Sequence, residues 1–323
     1  MAISNGTADS DVSDCRVLSI QSHVVSGYVG NKIATFTLQV NGFETDAINS
    51  VQFSNHSHYQ HLKGEVLTST QLNELFAGLE LNCLHERFTH LLTGYVNSQS
   101  FIEELCSIVA QLKRQHPHLI YLCDPVLGDN GRLYVTEALV IFYRERLLRM
   151  ADIITPNQFE AETLAEMKIG DEADALECIS RLHSRGPQVV VISSVDTPDP
   201  NSLIGYASRR KADPETGEQS FEQFRIRIPK LGGFFVGTGD LFASSFLSWM
   251  AKTDFNVPKS LERSISTLQS VLLRTRESAL KMAGGMDNMA NIELKLVQSL
   301  EEIRNPVVKI FAETIENPSL KTN

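Results

Sequence analysis

Long apolar runs are missing from this chain: no stretch approaches the roughly twenty consecutive apolar residues that a bilayer-crossing helix needs. The first ten residues, Met-Ala-Ile-Ser-Asn-Gly-Thr-Ala-Asp-Ser, carry neither the basic nor the apolar segment of a secretory leader. Basic residues are scarce too. Lys plus Arg number 29 against 39 Asp plus Glu, a formal net charge of -10, and no segment clusters cations enough to track a phosphate backbone. The triplet Arg209-Arg210-Lys211 reads as a solvated turn. The five cysteines, Cys15, Cys83, Cys106, Cys123 and Cys178, are odd in number, scattered and without a CxxC pair, which excludes a disulfide framework and a paired zinc or redox site. These absences leave a cytoplasmic protein with reduced thiols, no nucleic-acid partner and no membrane partner, acting on small molecules.

What is present suits one large α/β domain. With 323 residues, 42% hydrophobic and 21% charged, the chain can bury a sizeable core. Residues 1–14 are polar and acidic, and are expected to be a disordered tail; 15–312 are expected to form the domain and 313–323 a C-terminal tail. From Arg16 onward, apolar strand patterns (Arg16 to Ser22, Ala47 to Phe53, Thr89 to Thr93, Leu119 to Cys123, Ile153-Ile154, Val189 to Ser193) alternate with stretches of helical spacing. That alternation predicts a mostly parallel sheet with helices on both faces. Leu203 to Ser208 and Phe221 to Ile228 predict an antiparallel hairpin continuing it, Ser260 to Ala283 a long helix, and Ile292 to Ile303 a short one. The segment from Asn305 either packs as a terminal strand or stays mobile.

In parallel sheets, ligands lie at the carboxyl ends of the strands. Those ends carry Ser22, Ser54 to His56, Tyr95, Asp124, Asn157 and Ser193-Ser194, polar side chains that would converge on one rim. His56, His58 and His61 lie close together, yet no carboxylate or cysteine sits among them, so the cluster is read as surface or substrate-contacting rather than metal-binding.

The stretch from Leu231 to Trp249 carries the chemistry. Glycines 232, 233, 237 and 239 precede an apolar helical stripe of Leu241, Phe242, Phe246 and Trp249, placing Asp240 where loop becomes helix. Free amides in a first helical turn attract anions, and glycine lets the backbone approach a phosphate. A carboxylate there repels phosphate unless it takes a proton from the group attacking that phosphate. The pairing suggests phosphoryl transfer to a hydroxyl. The competing reading makes Thr238 or Asp240 a helix N-cap and the glycines turn formers.

Six blocks in order carry a family resemblance: Leu-Ser-Ile-Gln-Ser-His-Val-Val-Ser-Gly-Tyr-Val-Gly-Asn at 18–31, Asn-Ser-Val-Gln-Phe-Ser-Asn-His at 49–56, Leu-Thr-Gly-Tyr at 92–95, Cys-Asp-Pro-Val-Leu-Gly-Asp at 123–129, Ile-Thr-Pro-Asn-Gln-Phe-Glu-Ala-Glu at 154–162 and Val-Gly-Thr-Gly-Asp at 236–240. From about Arg16 on, the chain resembles the pyridoxal kinases of the ribokinase-like superfamily. Gly-Thr-Gly-Asp by itself indicates only the superfamily; the first block points to the vitamin B6 branch.

The resemblance implies a ribokinase-like three-layer sandwich and ATP-dependent phosphorylation of the 5'-hydroxyl of pyridoxal, pyridoxine or pyridoxamine. It implies Asp240 as base, with the backbone of Gly237, Thr238, Gly239 and Asp240 as anion hole. Ser22 would bond the polar edge of the pyridine ring, and Val51, Phe53, His56, Ser57 and Tyr95 would line its faces. For ATP the matching positions are Asp124, Tyr134, Asn157, Glu160, Ser193, Ser194, Leu231, Gly233, Gly237 and Thr238, with Tyr134 on a closing loop. Asp124, Asp129 and Glu160 are the implied groups for Mg2+ or another divalent cation, and Asp124, Thr155, Glu160 and Ser193 for a monovalent cation, K+ or Na+. The family also implies a homodimer. Ser57 and Ser193 stand where many relatives carry Thr, His58 where many carry Gly, and the segment after Asp129 is shorter than in many relatives. Two other readings remain open on residues alone: a hydroxymethylpyrimidine or sugar kinase of the same fold, and a non-catalytic B6-vitamer-binding protein.

Overall fold

The computed structural model describes residues 9–96, 98–213 and 216–316, so residues 1–8 of the expected tail and 317–323 at the C-terminus lie outside it. The chain runs β1 (Arg16–Val24), α1 (Asn31–Val40), β2 (Glu44–Phe53), β3 (Gly64–Val66), α2 (Ser69–Leu81), β4 (His90–Thr93), α3 (Gln99–Gln115) and β5 (Ile120–Cys123). A two-stranded flap, β6 (Gly128–Asp129) and β7 (Arg132–Leu133), precedes α4 (Glu137–Phe142) and α5 (Leu148–Met150). Then come β8 (Ile153–Ile154), α6 (Gln158–Ala165), α7 (Glu172–Ser184), β9 (Val189–Asp196), β10 (Ser202–Ala212) and β11 (Gln219–Pro229). The chain continues through α8 (Thr238–Lys252), α9 (Val257–Leu280), α10 (Leu300–Arg304) and β12 (Ala312–Thr314).

One sheet holds ten of the strands, in the order β12-β11-β10-β9-β8-β5-β4-β1-β2-β3. Its centre, from β2 to β9, is parallel; β10, β11 and β12 extend it antiparallel at one edge and β3 at the other. The central strands are continuous apolar runs because both faces are covered. Tyr121 and Cys123 point into one core with Val190 and Ile192, under α2, α3, α6 and α7. Leu122, Val189 and Val191 point into the other, under α1, α8 and α9. This is the expected mostly parallel sandwich with its antiparallel hairpin.

Three expectations change. Asp9 to Asp14 are not loose: Val12 is buried in the core beneath α8 and α9, the Ser10 amide donates to the Lys252 carbonyl at 2.8 Å, and Asp9 pairs with Arg263 at 2.6 Å. Arg209, Arg210 and Lys211 belong to β10 rather than to a turn. The Arg210 guanidinium donates to the His183 and Gly186 carbonyls at 3.3 and 2.8 Å, and Arg209 to the Phe255 carbonyl at 3.0 Å. In the third, only the end of the 292–303 segment is helical. Ile292, Leu294 and Leu296 are buried at alternate positions along a non-helical chain, Leu294 and Leu296 together with Val271 and Leu272 of α9, which leaves Glu293 on the opposite side.

Candidate active site

Parallel pairing of β1, β2, β4, β5, β8 and β9 gathers their carboxyl ends on one rim, so the polar residues expected there are neighbours for a topological reason. Ser22 is aimed by a bulge. Gln21 faces Asn49 and Ser22 faces Val51, leaving Ser50 as the extra residue, whose hydroxyl donates to the Tyr95 carbonyl at 2.8 Å. Gly30, just before α1, lies directly over Ser22; a Cβ there would collide with the Ser22 carbonyl and hydroxyl.

At the start of α8, Gly237 adopts φ 83°, and no side chain caps the helix. A Cβ on Gly237 would come within 2.5 Å of Ile33 Cδ1 and 2.7 Å of the Tyr28 carbonyl. The N-cap reading of Thr238 or Asp240 is therefore displaced: a left-handed glycine opens the helix, and its first-turn amides have no side-chain acceptor. Asp240 sits in that turn.

Asp124 directly follows β5 and lies against the same turn; a Cβ on Gly239 would lie 3.7 Å from Asp124 Oδ2. Burial pushes the Asp124 carboxyl up to about 8, the neighbouring Asp240 charge adds to the rise, and a 3.0 Å bond from the Thr155 hydroxyl opposes it. Asp240 is also raised by desolvation, with the Gly30 amide partly offsetting it. Among the described residues no Lys or Arg pairs with either acid. Two close carboxyls without a counter-charge bind their first proton as a pair.

Glu160 closes a capping box. Its Oε2 accepts the Asn157 amide at 2.9 Å, while Asn157 Oδ1 accepts the Glu160 amide at 2.9 Å. Its Oε1 accepts the Leu127 and Gly128 amides at 3.0 and 3.4 Å, and Asn157 Nδ2 donates to the Gly128 carbonyl at 2.9 Å. Together the pair holds the base of the β6–β7 flap, which ends near Tyr134, an exposed ring. Burial and then Asp124 raise the Glu160 carboxyl well above the usual range.

The other end of the rim is built from β2 and the loop after it. Val51 and His56 are buried, Phe53 and Tyr95 half-buried, and Ser57 and His58 exposed. The His58 ring lies 4.8 Å from Phe234 in the glycine loop. His56 Nδ1 accepts the His58 amide at 3.3 Å, which leaves Nε2 as the protonated nitrogen facing Glu293 Oε1 at 3.2 Å. The short helix expected over Ile292 to Ile303 does not single out Glu293; the alternation of Ile292, Leu294 and Leu296 is the signal that the sequence offers.

The expected cation residues do not form a cage. Among the described residues no group of three or more His, Cys, Asp or Glu side chains surrounds a single metal position. Asp129 Oδ1 and Oδ2 accept from the Asn130 amide and side chain, Thr155 is bonded to Asp124, and Ser193 Oγ donates to the Pro156 carbonyl at 3.4 Å. Asp124 is the acid left without a positive or amide partner, which fits a cation held by one carboxylate and the phosphates of a ligand. Ser193 and Ser194 lie in the second half of β9, whereas Leu231 and Gly233 stand on the glycine loop.

The rim, the uncapped glycine-led helix and the acid in its first turn define the ribokinase-like class of small-alcohol kinases. A family model described as phosphomethylpyrimidine kinase matches residues 42–286. Human pyridoxal kinase is 48% identical over 308 residues, covering 93% of this chain and 98% of that protein. The pyridoxal kinase of Arabidopsis thaliana is 46% identical, covering 92% and 94%. Among solved structures, pyridoxal kinase from Leishmania donovani in complex with ADP and pyridoxamine superposes with a TM-score of 0.85 at 34% identity, covering 93% of this chain and 99% of that one. The chain belongs to the pyridoxal kinase family and is an ATP-dependent kinase. Among the described residues no helix is long and apolar enough to cross a membrane.

Proposed function

We propose that the reaction is transfer of the ATP γ-phosphoryl group to the 5'-hydroxyl of pyridoxal, pyridoxine or pyridoxamine, with Asp240 as general base. The observation that carries this reading is the glycine-led, uncapped start of α8, with a desolvated carboxyl in the same turn. Asp240 removes the hydroxyl proton as the oxygen attacks. The amides of Gly237 to Asp240 face the charge on the transferring group, so catalysis comes from positioning and electrostatics without a covalent intermediate. Ser22 bonds the pyridine edge, and Val51, Phe53, Ser57 and Tyr95 line the ring. His56 presents its ring face, since both its nitrogens are engaged.

The nucleotide lies against Asn157, Ser193, Ser194, Leu231, Gly233 and Thr238, with Tyr134 on the flap above it. Asp124 would hold a Mg2+ or similar divalent ion, which neutralises phosphate charge when bound. Glu160 supports the flap through amide bonds, and Thr155 orients Asp124. A monovalent ion at Asp124, Thr155, Glu160 and Ser193, a cytosolic location and a homodimer rest on the resemblance to the family. A single domain over 15–312 is part of this reading, and the packing of Val12 supports counting 9–14 with it.

ADP release measured with the three vitamers, and with hydroxymethylpyrimidine and ribose as controls, tests the assignment. Turnover with the vitamers well above the controls is expected. Faster turnover of the pyrimidine would sink it.

A further inference from the structure

Three donors from two separate loops meet one carboxylate behind the pyridine end of the crevice. Glu293 Oε2 accepts the Tyr28 amide at 3.0 Å, and Oε1 accepts the Tyr59 hydroxyl at 3.0 Å and His56 Nε2 at 3.2 Å. Tyr28 belongs to the loop between β1 and α1, His56 and Tyr59 to the loop after β2, and Glu293 to the extended stretch after α9. The side chain of Glu293 is 14% exposed, and it occupies the space above Gly27, where any Cβ would overlap its carboxyl group. Burial pushes this carboxyl up, but the His56, Tyr28 and Tyr59 donors overcome that and leave it below its ordinary value, so it is anionic near neutrality.

We infer that Glu293 is a positioning residue for vitamer binding: it locks His56 as the Nε2-protonated ring wall and clamps the two loops that flank the pyridine site. The tilted packing of His56 on Tyr59, at 4.7 Å between ring centres, makes the clamp stiff. The clamp also reaches the phosphate cradle, because the Tyr28 carbonyl is, after Ile33 Cδ1, the atom that a Cβ on Gly237 would meet at 2.7 Å. Three donors converging on two carboxylate oxygens cannot be matched by an amide, whose nitrogen would face a donor. A glutamine is therefore a poor replacement in spite of its shape.

The inference rests on the reading of His56 and Ser22 as pyridine-site residues, and the test separates the two. Steady-state kinetics and direct equilibrium binding of pyridoxal are measured for Glu293→Gln, Glu293→Ala, Tyr59→Phe and the double variant Glu293→Ala/Tyr59→Phe, with Ser22→Ala as reference. Glu293→Gln should raise the KM and Kd for pyridoxal by about tenfold or more, with the KM for ATP within about twofold of the parent. Tyr59→Phe should raise them less, and the double variant should be no worse than Glu293→Ala, because both changes break one network. Unchanged pyridoxal binding in Glu293→Gln and Tyr59→Phe, or a fall in melting temperature with both KM values intact, overturns the inference and leaves Glu293 a tie of the fold. If Glu293→Ala fails to fold, Tyr59→Phe and Glu293→Gln decide by the same criterion. Loss of pyridoxal binding in the Glu293 and Tyr59 variants but not in Ser22→Ala would place the error in the site reading instead.

Discussion

The Thr155 hydroxyl donates to Asp124 Oδ1 at 3.0 Å, a neutral donor set against a buried carboxylate that also faces Asp240. One hydroxyl does not balance that charge. The folded chain therefore holds a proton on Asp124 up to about pH 8 that the unfolded chain releases near its ordinary value of 3.8. A raised folded value means stability is greatest at low pH and is lost as pH rises between those two values. Without nucleotide or metal, the parent protein should lose stability from pH 5 to pH 8, whereas Asp124→Asn, which still accepts from Thr155, should lose about 1–3 kcal/mol less over that range. Thermal unfolding at the two pH values measures this, and equal slopes for both proteins would remove the argument.

The same electrostatics act on turnover. As the proposed base, Asp240 must be ionised to take a proton, and burial raises its carboxyl, so kcat/KM for pyridoxal should fall on the acid side at a pH above the ordinary carboxylate range. A divalent cation beside Asp124 favours the ionised pair, so higher cation concentration should move that fall to lower pH. A profile that stays flat from pH 8 down to pH 5 contradicts the assignment.

Replacing Asp240 with Asn keeps the shape of the turn and removes the proposed acceptor of the proton. Turnover should drop by about 10²-fold to 10⁴-fold, while ADP binding, followed by calorimetry, changes little. Undiminished ADP production with pyridoxal would show that another group is the base.

Arg210 supplies a prediction about stability. Its guanidinium satisfies the carbonyls of His183 and Gly186 at the end of α7, so Arg210→Ala should cost about 1–3 kcal/mol by urea unfolding, with kinetic constants nearly unchanged. A solvated arginine in a turn would cost almost nothing, which is the result that would restore the reading from sequence.

That arginine shows what the sequence made legible and what it did not. Leu119 to Cys123 and Val189 to Ile192 were readable because strands covered on both faces are apolar throughout, a property written in consecutive residues. Gly-Thr-Gly-Asp was readable because a loop-to-helix junction is local. Arg209 and Arg210 were not, because the carbonyls they serve lie 24 to 46 residues away in the chain. Glu293 is the extreme case, with partners 234 and 265 residues distant. Its chemistry appears only when the fold brings the first loop and the last segment together. The packing of Val12 was hidden for a related reason: one apolar residue in a polar stretch says nothing until its pocket is known.

Gly30 touches the Ser22 carbonyl and hydroxyl on one side and offers its amide to Asp240 on the other. With Ser22 and Asp240 in the roles proposed for them, a single peptide unit spaces the ring's anchor from the proton's destination, and the site works as a caliper with a fixed gap. An alcohol whose arm is one methylene longer than the vitamer's should still dock its ring, yet carry its oxygen past the acid. Such a homologue is expected to inhibit pyridoxal competitively while yielding little ADP, and brisk phosphorylation of it would mean that the gap is not fixed.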